Sequence, residues 1–219
     1  MKKFSEILLN CLLFDGVDEC DLFKMLPCLG ARVVEFDKKY TIFAEGSEAK
    51  YIGIVLSGSA QMIKYDYYGN KSIISETMPG GMLIEEFASA NIGSLPVSVV
   101  ANEPCEIMII DVSRVLHTCK NGCAFHSRLI YNLMKALANK TLVYHERIEI
   151  TSKRTTREKL LAYLASIAKK EGSASFDIPF DRQELADYLE VDRSGLSLEI
   201  GKLVKEGIIE NKKRHFRLK

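Results

Sequence analysis

Residues 181–206 read DRQELADYLEVDRSGLSLEIGKLVKE, and this stretch decides the fold of the C-terminal part of the chain. Asp181 is a favourable N-cap residue, and Glu184, three residues later, completes a capping-box pattern. The apolar spacing that follows predicts a short helix over residues 182–188. Asp192 is a second N-cap residue, so we expect another helix to begin directly after a tight turn.

The second helix is predicted from one apolar stripe and one stop signal. Its apolar positions are Leu196, Ile200, Leu203 and Val204. Val191 is predicted to be the buried residue of the preceding turn, and Gly207 is typical of a helix C-terminus. Two short helices joined by such a turn predict a helix-turn-helix, whose second helix enters the major groove of DNA. The alternative is a helical hairpin followed by a solvated basic tail.

Residues 208–218 alternate around a basic tip and predict a two-stranded hairpin, a wing beside the helix-turn-helix. Arg193 lies at the start of the second helix, where its side chain can read a guanine with two hydrogen bonds. Ser194 and Ser197 can assist base reading or bind phosphate, and Leu198 can contact a thymine methyl group. Lysines and arginines of the helix and the wing supply phosphate contacts. The predicted DNA-binding residues are Arg182, Arg193, Ser194, Ser197, Leu198, Lys202, Lys212, Lys213 and Arg214.

Charge is distributed unevenly along the 219 residues, a length typical of one or two domains. Residues 1–150 contain fifteen Lys and Arg and eighteen Asp and Glu, whereas residues 151–219 contain fifteen and eleven. The positive surplus therefore lies with the helix-turn-helix, as phosphate binding requires. No apolar run is long enough to span a membrane, and the N-terminus lacks a signal-peptide cleavage site. We expect a cytoplasmic protein with no membrane partner.

From Ala31 to Val112 the apolar pattern has a period of two, which is typical of strands. Glycine-containing turn signals separate these short runs, at residues 45–47, 57–59, 68–70 and 79–81. Many short strands between regular turns predict a jelly-roll β-barrel, and with the helices this makes an α+β fold. Residues 4–29 have helical spacing and predict short helices packed on the outside of the barrel.

Residues 124–149 predict one long helix. Apolar and small positions step by three and four residues, as in the seam of a two-stranded coiled coil, and predict dimerisation. The predicted seam residues are Ile130, Leu133, Leu137, Thr141, Tyr144 and Ile148. Leu129 and Leu142 lie off this seam and are expected to face the barrel. The alternative is a helix buried wholly within one subunit.

The segment after the long helix, residues 151–157, is polar and is predicted to be a hinge. Thr156 is expected to cap a helix over residues 157–170. A short strand is predicted over residues 176–180, leading back to the helix-turn-helix. These boundaries divide the chain into three parts: a barrel domain with N-terminal helices over 1–123, a dimerisation helix over 124–150 and a winged helix-turn-helix over 151–219.

Three motifs in the barrel region carry a family resemblance: Glu45-Gly46, YIGIVLSG over 51–58 and PGGMLIEE over 79–86. With the winged helix-turn-helix after them, they resemble the Crp/Fnr family (cyclic-AMP receptor protein and fumarate–nitrate regulator). The resemblance covers residues 5–219. It implies a homodimeric transcription regulator that binds a palindromic double-stranded operator, with a small-molecule effector in the barrel and RNA polymerase as a further partner.

The effector pocket departs from the cyclic-AMP-binding members of that family. Glu86 matches their pocket glutamate, but the place of their Arg-Ser pair reads SLPVS over residues 94–98. A buried cyclic phosphate would then lack a charge partner and would meet Glu85 and Glu86, so we expect an effector other than cyclic AMP. The candidate effector-binding residues are Glu86, Ser98, Tyr144 and His145, and the pair on the long helix is expected to pass the barrel's mouth. The sequence does not identify a cofactor.

Six cysteines suggest free thiols in a reducing compartment: Cys11, Cys20, Cys28, Cys105, Cys119 and Cys123. The oxygen-sensing branch of the family holds an iron–sulfur cluster with three closely spaced N-terminal cysteines and one in the barrel, and the spacing here does not fit. A zinc site at Cys119 and Cys123 is not expected, because no matching His or Cys pair lies nearby in the sequence. A thiol redox switch remains an alternative.

An enzymatic barrel is not expected. Cupin-type barrels hold a catalytic metal with inward-facing histidines, and none of the four histidines falls between residues 31 and 112. No nucleophile with an adjacent base is apparent either. The sequence therefore predicts a sensor rather than a catalyst. A barrel-based enzyme with an accessory DNA-binding domain, and a DNA-binding protein whose barrel is purely structural, are the remaining alternatives.

Overall fold

The computed structural model describes residues 2–69, 71–117 and 124–219 of the chain. Its internal contacts form two compact units, residues 1–139 and residues 140–219, and each is described by itself. The boundaries predicted from the sequence are 123/124 and 150/151. The observed division falls within the long helix instead, so residues 140–151 belong with the C-terminal unit.

The first unit begins with two short 3-10 turns, Lys2–Phe4 and Leu12–Phe14. Its helices are α1 (Ser5–Leu9), α2 (Glu19–Met25), α3 (Glu85–Ser89), α4 (Val112–Leu116) and the first part of α5 (Ala124–Thr151). Its strands are β1 (Arg32–Phe36), β2 (Thr41–Phe43), β3 (Tyr51–Ser57), β4 (Ala60–Tyr65), β5 (Lys71–Thr77), β6 (Met82–Leu83), β7 (Ser98–Ala101) and β8 (Cys105–Asp111).

These eight strands form two four-stranded antiparallel sheets. The first sheet has the order β1-β8-β3-β6 and the second has the order β2-β7-β4-β5. Apart from the consecutive pair β4 and β5, neighbours in each sheet are distant in the chain, as in a jelly roll. The predicted α+β class with an N-terminal jelly-roll barrel is confirmed.

The first sheet is buried on both faces, which explains why β3 and β8 are almost continuously apolar. Val55 and Ile109 point into a core shared with the second sheet. Ile54 and Met108 point the other way, into a core shared with the N-terminal helices and α5. The predicted packing of those helices outside the barrel is confirmed, and Leu129 of α5 is buried there as expected.

The second unit contains the end of α5 and the whole winged helix-turn-helix. Its other elements are α6 (Thr156–Glu171), β9 (Ser175–Asp177), α7 (Arg182–Leu189), α8 (Arg193–Lys205), β10 (Ile209–Lys212) and β11 (His215–Leu218). The three strands form one antiparallel sheet in the order β10-β11-β9. The predicted strand over 176–180 is therefore shorter and starts one residue earlier.

The N-terminus of α6 corrects another prediction. Thr155, not Thr156, is the N-cap residue, and it forms a capping box in which its hydroxyl accepts from the Glu158 amide at 3.2 Å. The Glu158 carboxylate accepts in return from the Thr155 amide at 3.1 Å. Both threonines fit the cap preference, but only the earlier one has a glutamate at the third helical position.

The last turns of α5 are anchored to the second unit by three contacts. Ile150 is only 3% exposed and lies in that unit's core. The ammonium of Lys170 lies 2.5 Å from the carboxylate of Glu146, and the guanidinium of Arg147 lies over the ring of Tyr188. The end of α5 is therefore part of the winged-helix unit rather than a free connector.

No helix in the described part of the chain combines the length and apolar character needed to cross a bilayer.

Candidate nucleic-acid interface

Helix α7 begins with the predicted capping box. The carboxylate of Asp181 accepts from the amides of Gln183 and Glu184 at 2.8 and 2.9 Å. The Glu184 carboxylate accepts from the Asp181 amide at 2.6 Å. These amide hydrogen bonds, that of Glu184 first, lower the pKa of Asp181. The local sequence therefore fixes where this helix starts, as predicted.

Helix α8 is capped by Asp192, also as predicted. Its carboxylate accepts from the Gly195 amide at 2.8 Å and from the hydroxyl of Ser194. The Ser194 hydrogen bond is the main reason why the pKa of Asp192 is lowered. The cap orders the first turn of α8, which is the turn that would meet base edges.

The turn between the two helices is held by backbone and side-chain bonds. Glu190 ends α7 in the left-handed conformation, with φ of 54°, and the Val191 amide donates to the Ala186 carbonyl at 3.0 Å. The ammonium of Lys159 donates to the carbonyls of Leu189 and Glu190 at 3.1 and 3.3 Å. Val191 is half-buried rather than buried as predicted, because the compact turn keeps it at the margin of the core.

The apolar stripe of α8 is narrower than predicted. Leu196, Ile200 and Leu203 are buried in the core of the second unit, but Val204 is 42% exposed. One residue turns about 100° around a helix, so Val204 cannot share the face of Leu203 fully. The helix ends at Gly207, as predicted, with φ of 73°.

The predicted DNA-contacting residues of α8 are all exposed: Arg193, Ser194, Ser197, Leu198 and Lys202. Leu198 is 63% exposed, so its side chain is available for an apolar contact. Lys202 forms an ion pair with Glu199 at 3.2 Å. Because α8 buries its other face, this exposed face is the one available to a DNA groove.

A basic residue that the sequence analysis did not single out holds α8 in place. The guanidinium of Arg157 on α6 lies 3.0 Å from one Glu206 oxygen and 3.4 Å from Glu199. Its hydrogen bond is the main reason why the pKa of Glu206 is lowered. The partners are 42 and 49 residues away in the chain, so no local pattern could have revealed them.

The wing is a hairpin of β10 and β11, as predicted, and its tip exposes Lys212, Lys213 and Arg214. Arg182 has a different place from the one expected. Its guanidinium donates to the Asn211 side chain at 2.9 Å and lies over the ring of Phe216. Burial lowers the pKa of Arg182. This half-buried arginine joins α7 to the wing, and its contact with DNA stays a prediction.

Apolar side chains are buried between the two sheets in the stretch where the family resemblance places effector contacts. Leu95 and Val97, from the stretch that replaces the Arg-Ser pair, are buried in the core between the two sheets. The Ser98 hydroxyl accepts from the Glu45 amide at 3.0 Å, which ties two loops together. Ser98 is thus engaged in the fold itself.

The buried carboxylate of the motif is Glu85, whereas Glu86 is half-buried. Helix α3 starts from Ile84, a fully buried residue in the left-handed conformation with φ of 55°. That conformation is costly for a β-branched residue, so the surroundings must hold it. The other two candidate effector residues, Tyr144 and His145, belong to the second unit, and their contact with an effector stays a prediction.

Two residues of the predicted seam in α5 face the first unit itself. Leu133 is 2% exposed and lies in the core with Leu129, and Leu137 packs against the same core. Leu142, expected to face the barrel, is exposed. The large apolar side chains that α5 does expose are Tyr131 and Met134 in the first unit and Leu142, Val143 and Ile148 in the second.

The described thiols differ sharply in accessibility. Cys11 and Cys105 are buried in different cores, and burial raises the pKa of Cys11 to about 11 and that of Cys105 in the same direction. Cys20 and Cys28 are exposed. Cys119 and Cys123 lie outside the described residues.

The fold and the exposed α8 face define a class: a winged helix-turn-helix protein with a jelly-roll regulatory barrel. Residues 33–121 match the cyclic nucleotide-binding domain, and residues 158–219 match the Crp-like helix-turn-helix domain. The chain belongs to the Crp/Fnr family of transcription regulators.

Individual relatives are distant. The transcriptional activator protein FnrL of Cereibacter sphaeroides is 33% identical over 76 residues, which are 30% of this chain and 31% of FnrL. Electron transport regulator A of Shewanella oneidensis is 21% identical over 180 residues, 80% of this chain and 69% of that protein. The solved structure of the regulator CLP of Xanthomonas campestris shares the fold, with a TM-score of 0.64, 16% identity and coverage of 92% of this chain and 99% of CLP.

Proposed function

We propose that this chain is a homodimeric, sequence-specific DNA-binding regulator of the cytoplasm, controlled by an effector other than cyclic AMP. The observation that supports it best is the first turn of α8. Asp192 caps that turn, and Arg157 of α6 forms an ion pair with Glu206 at the end of α8. Arg193, Ser194 and Ser197 are exposed on the first turns of the helix. A rigid helix with an unused polar N-terminal face fits a major groove.

Within this proposal the exposed residues divide by chemistry. Arg193 reads a base edge, since its guanidinium can bond a guanine twice, and Leu198 contacts a thymine methyl group. Ser197 assists, whereas the Ser194 hydroxyl is already donated to Asp192 and contributes mainly its backbone amide. Lys202, Lys212, Lys213 and Arg214 contact phosphates, which position the protein without reading sequence.

Dimerisation is proposed to use a revised seam on α5. The revised seam keeps the spacing of three and four residues but omits Leu133 and Leu137, because these two face the first unit's core. Its residues are Tyr131, Met134, Ala138, Thr141, His145 and Ile148. Thr141 and Ile148 are shared by both versions, and Leu142 flanks the new one. A two-fold dimer presents two α8 helices to half-sites of a palindrome one DNA turn apart.

The exclusion of cyclic AMP rests on packing and charge. Leu95 and Val97 place buried apolar groups in the stretch where the cyclic-AMP-binding members carry their Arg-Ser pair. A cyclic phosphate would lose its hydration there without gaining a cation, which is strongly unfavourable. We propose that the barrel transmits a signal rather than catalysing a reaction.

Two alternatives remain within the family. A thiol redox switch would have to use an exposed thiol, because burial keeps Cys11 and Cys105 protonated and inaccessible. The second alternative, a barrel that is purely structural, is supported by the buried apolar core between its two sheets. In both cases the DNA-binding role of α8 is unchanged, and RNA polymerase is the expected downstream partner.

The test is selection of binding sites from random double-stranded DNA with the purified protein, followed by fluorescence anisotropy on the selected site. We expect a palindromic site, and an affinity that neither cyclic AMP nor mild oxidation changes more than about twofold. Arg193→Ala is expected to lose about 1–3 kcal/mol of discrimination at one base pair per half-site. Lys213→Ala, the matched control in the wing, should weaken all sequences equally. Unchanged discrimination with Arg193→Ala would refute base reading, and a large response to cyclic AMP would refute the pocket argument.

A further inference from the structure

The side chain of Asn211, in β10, has all of its polar groups engaged within the second unit. Its Oδ1 atom accepts from the guanidinium of Arg182 at 2.9 Å. Its Nδ2 atom donates to the backbone carbonyl of Lys213 at 3.1 Å and to that of His215 at 3.0 Å. The orientation of the amide follows from chemistry, because a guanidinium only donates and a carbonyl only accepts. One side chain therefore joins an arginine of α7 to two carbonyls of the wing.

These two carbonyls belong to the tip of the wing. The loop between β10 and β11 has only two residues, Lys213 and Arg214. Lys213 adopts the left-handed conformation with φ of 56°, which is unfavourable for a lysine. The carbonyl of Arg214 accepts from the Ile178 amide at 3.0 Å. The carbonyls of both loop residues and of His215 therefore have donors, and Asn211 supplies two of the three.

Asn211 is itself held from the side of the helix-turn-helix. Its cross-strand partner is Phe216, which is fully buried in the core of the second unit, and cross-strand partners share one face of a sheet. The guanidinium of Arg182 lies over the same ring, 5.9 Å from its centroid. Arg182 is the first residue of α7, directly after the cap residue Asp181. The tip of the wing is therefore connected through Asn211 to the start of α7.

The start of α7 also lies near the cations proposed to meet DNA. The pKa of Asp181 is lowered first by the Glu184 amide and, less strongly, by the charges of Arg214 and Arg193. The guanidinium of Arg214 lies 3.8 Å from the Glu184 carboxylate. A cation of the wing tip and the first residue of α8 are thus both close to the point where Arg182 is anchored.

We propose that Asn211 is the positioning residue of the wing, because it holds the tip carbonyls so that the tip cations meet DNA phosphates in one arrangement. These cations are Lys212, Lys213 and Arg214. The inference rests on the proposed DNA-binding function and assigns no DNA contact to Asn211. Long cationic side chains lose conformational freedom when they bind, and a loop that is already ordered adds no further cost.

The first experiment measures order in the free, full-length protein by backbone NMR relaxation. In the wild-type protein we expect order parameters of about 0.85 at residues 213–215, as in a rigid backbone. Asn211→Ala should lower them below about 0.6 and leave those of α8 unchanged. Asn211→Asp can still accept from Arg182 but cannot donate to the carbonyls, so it should loosen the tip as well. The matched control is Glu210→Gln, because the Glu210 carboxylate pairs with Lys219 at 2.5 Å and not with the tip. A tip that stays ordered in Asn211→Ala or in Asn211→Asp would overturn the proposal.

The second experiment is a double-mutant cycle on operator affinity, measured by fluorescence anisotropy. In a protein with the natural tip, Asn211→Ala should weaken binding about tenfold, because the loop must be ordered on binding. In a protein with a neutral tip (Lys212→Gln, Lys213→Gln and Arg214→Gln), the same change should weaken binding less than about twofold.

The cycle separates positioning from a general defect. An equal loss of affinity in both proteins would overturn the positioning role, because a merely structural effect does not depend on the tip cations. Absence of operator binding by the wild-type protein would refute the proposed function instead. In that case the order parameters would still decide whether Asn211 holds the tip.

Discussion

Two isoleucines on the last turns of α5 offer a matched test of how that helix is used. Ile150 is 3% exposed in the core of the second unit, and Ile148 is 62% exposed two residues earlier. Truncating isoleucine to alanine removes three carbon groups, worth about 0.8 kcal/mol each when buried, or about 2.4 kcal/mol. A residual cavity adds to this, so Ile150→Ala should cost about 3 kcal/mol. Ile148→Ala should change the unit's own stability by less than about 0.5 kcal/mol.

The assay is amide hydrogen exchange in the full-length protein, read at the buried turns of α8. Because these amides report opening of the second unit, Ile150→Ala should speed their exchange about 100-fold or more. Ile148→Ala should leave their exchange nearly unchanged but weaken the dimer in sedimentation equilibrium, since it lies on the proposed seam. Less than a threefold change with Ile150→Ala would contradict the anchoring of α5. Equal effects of both variants on α8 exchange would contradict the division of the helix into a core face and a seam.

Three further predictions concern the second unit. Glu190→Gly should stabilise it by about 0.5 kcal/mol, because glycine adopts the left-handed conformation without strain, and an unchanged or lower melting temperature would contradict this. Asp192→Ala should weaken operator binding in anisotropy titrations, because it removes the cap of α8. Asp192→Asn keeps an accepting oxygen and should bind the operator at least as tightly as the wild-type protein. An equal loss of affinity in both variants would show that the charge of Asp192 matters instead of its cap. The Lys170 hydrogen bond lowers the pKa of Glu146, so its stabilisation is present above the ordinary glutamate pKa of about 4.3 and disappears as pH falls through the lower folded value. Melting temperatures between pH 3 and 6 should therefore depend less on pH in Glu146→Gln, and an unaltered pH profile would refute this contribution.

The ends of the recognition motif could be predicted from sequence because their chemistry is local. Asp181 and Asp192 bond amides two or three residues away, and Gly207 needs only its own freedom at positive φ. The jelly roll was likewise indicated by alternation and turn residues. Such signals depend on neighbours in the chain and are independent of how distant segments meet.

The orientation of α5 could not be predicted in the same way. A stripe with steps of three and four identifies an apolar face but not which surface will cover it. Leu133 is one turn after Leu129, so the same periodicity that suggested a seam placed it against the first unit's core. Leu142 shows the opposite error, because an apolar residue assigned to the core is exposed.

The anchoring of α5 to the winged helix has a consequence for domain exchange between regulators. The boundary suggested by sequence, after residue 150, would leave Glu146, Arg147 and Ile150 with the donor's barrel and expose the surface that they cover. The transferable DNA-reading cassette begins at Lys140, in the middle of a continuous helix. A chimera joined there would need only matching helical phase, whereas one joined at the apparent linker would have to rebuild part of a hydrophobic core.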